Sequence, residues 1–265
     1  MQTNRFLAGT LLALTLAATT ADAQTTSRTV KSGTIQYEVS RRIDPSQMRI
    51  VINGAEVKPG SADFPADIPD TRTFSQKLTF AGNYAREEHD EAVGMIRRID
   101  GNGPGQAVRI EPPVREWTYF DLANRKLIQV LQVKKDSVQT ESFRAESPFN
   151  QVAGWKDIDK TKKIAGLSCR KATVPFKNET YTVWYTTELP FTYSPVNGLM
   201  PEKGVVLEIE GSQEAYKAVK IDTSPVAEAD LKPGIQAKTI TPDELQEQRR
   251  KAMAGFRQRT MRRLD

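Results

Sequence analysis

Glu208 and Glu210 stand two residues apart in the run Val205-Val206-Leu207-Glu208-Ile209-Glu210. In an extended strand that spacing puts both carboxyls on one face. Two carboxyls on one face are the minimum for acid–base hydrolysis of a glycosidic type. The same spacing also describes the polar face of any surface strand, and no pair of acids stands out by position. No residue is therefore assigned a catalytic role. His89 is the only histidine. This excludes multi-histidine zinc centres, and no nucleophile arrangement of the Ser-His-Asp or Cys-His kind stands around it. Cys169 is the only cysteine, so no intramolecular disulfide can form. It sits in an alternating stretch and is expected to be an inert, packed thiol. The sharper reading is a thiolate stabilised by Arg170 and Lys171.

Glu87, Glu88, Asp90 and Glu91 crowd around His89 but lack the spaced ligands and central glycine of a calcium loop. The Gly101–Gly105 segment lacks the Lys-Ser/Thr of a phosphate loop. Neither predicts a metal or a cofactor. The remaining candidates are aromatic. Trp117, Tyr119, Trp184 and Tyr185 lie in strand-like runs and could line an apolar cleft, with core packing as the other explanation. They form the candidate ligand-binding set.

The elements that would position these residues alternate with period two. Tyr181, Val183 and Tyr185 oppose Thr182, Trp184 and Thr186, and Val205, Leu207 and Ile209 oppose Glu208 and Glu210. Residues 164–211 hold three such pieces and form the predicted centre of the fold. Further strands are expected around residues 34–39, 48–52, 74–84, 108–110, 117–121, 126–134, 138–143 and 216–221. Asn53-Gly54, Pro59, Pro65, Pro69 and Pro112-Pro113 break the chain between them. Short spacing without helical crossovers predicts an antiparallel sheet rather than βαβ units.

The ends differ from the middle. Arg5, an apolar run over residues 6–18 and Ala21-Asp22-Ala23 read as a cleaved secretory signal, which makes Gln24 the expected mature start. At the other end, Thr241-Pro242-Asp243-Glu244 is a capping box that opens a helix. Arg249, Arg250, Lys251, Arg257, Arg259, Arg262 and Arg263 make that helix basic. It is either a solvated extension or a surface that touches an anionic membrane or a partner. The formal charge of +5 is modest. For an exported chain it does not predict a nucleic-acid partner.

Several motifs occur in order: Trp155-Lys-Asp-Ile158, Ile164-Ala-Gly166, Cys169-Arg-Lys-Ala172, Val183-Trp-Tyr-Thr-Thr-Glu-Leu-Pro190 and the run from Gly198 to Glu208. With the strand around Tyr37 and the hairpin near Trp117, they resemble the GLPGLI family, exported envelope proteins found mainly in Bacteroidetes. The resemblance covers residues 35–221. It departs from the pattern at Gly198-Leu199-Met200-Pro201, where extra residues lengthen the turn. It implies an antiparallel β protein, similar to lipoprotein-carrier half-barrels, and no catalytic residues.

The resulting expectation is a mainly β protein with an antiparallel, strongly curved, half-barrel-like sheet and a C-terminal α-helix. Residues 1–23 would be the signal, 30–222 the β domain, 223–240 a linker and 241–265 the basic helix. The expected function is non-enzymatic, in the periplasm or cell envelope. An apolar or amphipathic ligand or peptide would lie on the curved sheet. The alternatives are a scaffold that binds an outer-membrane protein through a sheet edge, and a carboxylate-dependent hydrolase. Peripheral membrane contact would run through Arg249–Arg263.

Overall fold

The computed structural model describes residues 30–44, 50–52, 55–58, 60–62, 70–90, 94–97, 107–110, 112–135 and 139–262. The signal segment, the Asn53-Gly54 turn, Pro59, Pro65 and Pro69, Glu91, the Gly101–Gly105 tip and Arg263 lie outside the described residues.

In chain order the strands are β1 (Ser32–Arg42), β2 (Ile50–Ile52), β3 (Ala55–Val57), β4 (Thr71–Ala81), β5 (Tyr84–His89), β6 (Gly94–Arg97), β7 (Ala107–Ile110) and β8 (Val114–Asp121). They continue with β9 (Lys126–Lys134), β10 (Thr140–Pro148), β11 (Lys156–Ile164), β12 (Leu167–Phe176), β13 (Glu179–Thr186), β14 (Val205–Glu210), β15 (Glu214–Asp222) and β16 (Lys238–Thr239). One helix, α1 (Pro242–Arg262), follows. No helix among the described residues is long and apolar enough to cross a membrane.

Twelve strands form one open sheet in the order β11-β12-β13-β14-β15-β1-β4-β5-β8-β9-β10-β16. Every pairing is antiparallel except that of β16 with β10. Two small hairpins, β2-β3 and β6-β7, stand apart from it. The mainly β, antiparallel expectation and the C-terminal helix hold. The register slips at Gln36/Tyr37, Ile158/Thr161 and Trp184/Tyr185. Such bulges bend a sheet and increase its twist.

One face collects Ile35, Tyr37 and Val39 of β1 and Leu78 and Phe80 of β4, all buried. Antiparallel pairing aligns Ile35 with Leu78 and Val39 with Tyr216, which keeps the apolar sets together across strands. This face is covered by the chain itself. The β13–β14 connection, residues 187–204, lays Leu189, Tyr193, Leu199 and Met200 over it, each at most 3% exposed. Phe191 packs 4.6 Å from Phe80, and Tyr193 sits 5.2 Å from Phe120, ring centre to ring centre.

The loop is also fastened by polar bonds. The Tyr193 hydroxyl donates to Glu87 at 2.6 Å and accepts from the Gln76 amide at 3.1 Å. Glu87 in turn meets His89 Nε2 at 2.8 Å. Gln76 and Tyr193 are buried, so these bonds satisfy groups that would otherwise be costly to desolvate.

The expected linker, residues 223–240, is instead laid along the sheet. A short 3₁₀ turn, Glu228–Leu231, buries Leu231. Ile235 covers Trp117 and Tyr119. β16 then runs beside β10, and α1 buries Leu245 against Leu131, Phe143 and Ala145. The Thr241-to-Glu244 capping box forms as read: the Glu244 N–H donates to Thr241 Oγ1 at 3.2 Å, and the Thr241 N–H donates to Glu244 Oε2 at 2.8 Å. Arg249 is turned inward to Glu116, whereas Arg250 and Lys251 remain exposed.

Candidate functional site

β11 and β12 are joined by a tight turn that places Ala165 and Gly166 at positive φ, 47° and 90°. Glycine tolerates that conformation at no cost, and it closes the two-residue hairpin. The turn stands against Lys217, Ala218 and Val219 of β15, four positions away in the sheet order. This approach shows how strongly this end of the sheet curls. Between the turn and β15 lies a cavity of about 350 Å³.

Register builds the floor of this cleft. Lys171, Trp184, Glu208 and Lys217 lie directly opposite one another on β12, β13, β14 and β15. Lys162 reaches in from β11. Its ammonium lies 4.2 Å from the centre of the Trp184 ring and donates to Glu208 Oε1 at 2.6 Å. A cation over an indole face gains about 0.5–2 kcal/mol, more as water is excluded. Glu208 and Trp184 are both 8% exposed. The neighbouring Glu208 carboxylate pushes the Glu210 carboxyl up from its ordinary value, with burial adding and Lys162 and Lys171 opposing.

This geometry limits the chemistry. A retaining glycosidase separates its carboxyls by about 5–5.5 Å, and an inverting one by more, so that substrate atoms or water fit between them. Here the Glu208 carboxylate is instead engaged by the Lys162 ammonium at 2.6 Å. The cleft offers ammonium donors from Lys162, Lys163 and Lys217 and the Glu208 carboxylate, an arrangement that suits a polar partner.

The four aromatic residues expected to form one site are split into separate places. Trp117 and Tyr119 are on β8 with Ile128 and Val130, beneath Ile235. Trp184 and Tyr185 are on β13, six positions away in the sheet order. Trp184 is buried beneath Lys162, beside the cleft. Tyr185 is half-buried, contacts Trp155 edge-on at 6.2 Å and donates its hydroxyl to Asp157 at 2.9 Å. Burial, then the Asp157 bond, raises its pKa. Of the four, only Trp184 contacts the groups that build the cleft. No signal in the sequence marks Lys162 or Lys217; their placement becomes readable only once the register is known.

Among the described residues no group of three or more histidine, cysteine, aspartate or glutamate side chains is placed to hold a metal. Cys169 is buried with a free thiol. The expectation of a packed cysteine holds, and burial pushes its pKa up to about 11.

The family model of the N-glycanase peptide N-terminal domain matches residues 109–243, just over half of the chain. The chain belongs to this family. The matched span contains the whole cleft, from Lys162 through Glu208 to Val219. Two solved structures of PNGF-II, in P2₁ and C2 crystal forms, superpose with TM-scores of 0.51 and 0.50 at 14% identity. They cover 84% and 83% of this chain but 34% and 33% of their own. The N-glycanase peptide N-terminal family member described here therefore spans about a third of the PNGF-II chain, and at that identity the likeness is one of fold. No curated protein matches the chain.

Proposed function

We propose that the chain is an exported, non-enzymatic binding module of the cell envelope or periplasm, and that its ligand is polar and hydroxyl-rich: the glycan of a glycoprotein. The observation that carries this reading is the filled face. Residues 187–204 occupy the side of the sheet where an apolar ligand was expected, while the cleft between the β11–β12 turn and β15 is walled by Lys162, Lys163, Glu208 and Lys217. The ammonium donors and the carboxylate acceptor of that wall match the hydroxyls of a sugar ring. The N-glycanase in the family's name supports a glycan as the ligand class. The expected signal segment supports export, and the likeness of residues 155–208 to GLPGLI proteins supports an envelope location.

The test is binding of one N-glycosylated test protein before and after its glycans are removed. The glycosylated form should bind at least about tenfold tighter, the worth of one or two good hydrogen bonds. Lys162→Met and Glu208→Gln should erase the difference. Equal binding of both forms by the native chain would refute the reading.

A second reading rests on β11. It is the first strand of the sheet order and has a partner on one side only, so it offers a free edge to a partner strand such as one of an outer-membrane protein. Lys156, Asp157, Asp159 and Lys160, together with the slip at Ile158/Thr161, blunt that edge. Masking it would need a partner of matching charge.

A further inference from the structure

A second cavity, of about 650 Å³, lies at the far end of β12 from the Lys162 cleft. Three segments meet there: the end of β1 with Arg41 and Arg42, the β12–β13 turn with Lys177 and Asn178, and the β14–β15 turn with Ser212. The backbone is shaped for the meeting. Lys177 and Asn178 both take positive φ, 48° and 65°, as a two-residue hairpin turn requires. Gly211 lies flat on the Tyr181 ring, and a Cβ there would sit 2.3 Å from the Tyr181 ring edge.

Glu214 is the hub of the wall. It is 9% exposed, yet it accepts from Lys177 at 3.0 Å, Arg41 at 3.3 Å, Tyr216 at 3.3 Å and Tyr181 at 3.5 Å. The two cations that meet it are more than half exposed, Arg41 at 53% and Lys177 at 58%. Each therefore has one donor directed to the buried carboxylate and others directed to the cavity. The Arg41 guanidinium is also held 5.6 Å over the Phe74 ring, which fixes its plane. A guanidinium carries five N–H donors in a fixed fork, and Glu214 and Tyr216 engage it only through Nη2.

The geometry points to this cavity as a binding site for a ligand that bears a single carboxylate, gripped by Arg41, Arg42 and Lys177, with the attached group lying along Tyr181. The charge balance favours an anion. Three cations face two carboxylates, Glu179 and Glu214, which leaves one net positive charge on the lining. A planar carboxylate matches the flat guanidinium fork with two parallel bonds. The site is independent of the Lys162 cleft, and neither Lys162 nor Glu208 lines it.

The test is calorimetric titration of the full chain with D-glucuronate, D-glucose, acetate and inorganic phosphate. Glucuronate should bind at least about tenfold tighter than glucose, because a charge-assisted bond is worth roughly 1.5–3 kcal/mol. It should also outcompete phosphate. Acetate binding as tightly as glucuronate would support the site and show that the carboxylate alone is recognised. The double variant Arg42→Gln/Lys177→Gln should lose about tenfold or more for glucuronate. Its weak glucose binding should not change. The single variant Arg42→Gln touches none of the groups around Glu214, so it keeps the test valid if the double variant fails to fold. The proposal is overturned if the native chain binds glucuronate no better than glucose, if phosphate displaces it, or if Arg42→Gln binds glucuronate as the native chain does. Loss of glycoprotein binding in Lys162→Met with glucuronate binding intact would separate the two sites.

Discussion

Cys169 and His89 show how burial and a single partner decide reactivity. Cys169 lies under the curl of β11 and β12, and loss of solvent raises its pKa to about 11. At neutral pH it should therefore be a thiol that bulky reagents reach only through unfolding. The expected result is slow labelling that accelerates in denaturant; fast labelling of the folded chain would contradict it. Alternation in the sequence was enough to predict this, because a small side chain in a strand's buried row has one environment. His89 behaves differently. Its hydrogen bond to Glu87 raises its pKa above the ordinary value, while burial opposes the shift. The neighbouring Arg41 charge also opposes it, and Glu116 assists it. The folded state thus holds the proton more tightly than the unfolded chain. The resulting stabilisation is fully present below the unfolded value of about 6.5 and is lost as pH rises through the raised folded value. His89→Gln should lower the melting temperature most at mildly acidic pH, with the gap closing on the alkaline side. A gap that widens with pH would show that the Glu87 bond is not what the histidine contributes. The cleft was less legible. Trp184 was a candidate, but its covering cation was not, because Lys162 lies on a strand with no apolar row to announce it.

The edges of the sheet explain which elements the sequence hid. β11 reads Lys-Asp-Ile-Asp-Lys-Thr-Lys-Lys-Ile, and only Ile164 in it is buried. A strand that buries neither face has no period to detect, so it is legible only as the outer partner of β12. The tail was hidden for a different reason. Pro225, Pro233 and Gly234 argue for a linker, and the backbone there is indeed mostly irregular, yet Leu231, Ile235 and Leu245 are each set into a different patch of the sheet. Isolated anchors in a polar run carry no pattern. The capping box was legible because it is local: Thr241 and Glu244 need nothing beyond themselves. These contacts predict that the tail is part of the domain. Leu245→Ala removes a fully buried side chain from the pocket formed by Leu131, Phe143 and Ala145, which should cost about 2–4 kcal/mol. For a chain of this size that corresponds to roughly 5–15 °C in melting temperature. A change of a degree or two on calorimetry would mean that α1 only rests on the sheet.

The molecule as a whole is a wide open sheet closed on one face by its own 18-residue connection, residues 187–204. The antiparallel class was legible because it follows from alternating strands and short turns. The cover was not. Leu189, Phe191, Tyr193, Val196, Leu199 and Met200 are interrupted by Pro190, Pro195 and Gly198, and a buried loop has no repeat by which to recognise it. Unless such a loop is placed over the sheet, a curved sheet reads as an empty half-barrel that calls for an apolar ligand. The loop supplies that apolar mass from within the chain. Its attachment depends on Gly204, which has φ of +95° and so little room that a Cβ would lie 2.3 Å from the Thr186 carbonyl oxygen. The neighbouring bonds between the Tyr193 N–H and the Gly204 carbonyl, and between the Val206 N–H and the Tyr193 carbonyl, tie the loop's stem to the start of β14. Gly204→Ala must shift that stem. The strain should cost about 1–3 kcal/mol. It should also loosen Tyr193 from Glu87 and Gln76, exposing the face formed by Tyr37, Phe80 and Phe120. The variant should then bind an apolar fluorescent dye under conditions where it is still folded by circular dichroism, and the native chain should not. If the native chain binds the dye as strongly as the variant, the loop does not seal the face, and an apolar ligand on the sheet regains its place ahead of the polar cleft at Trp184.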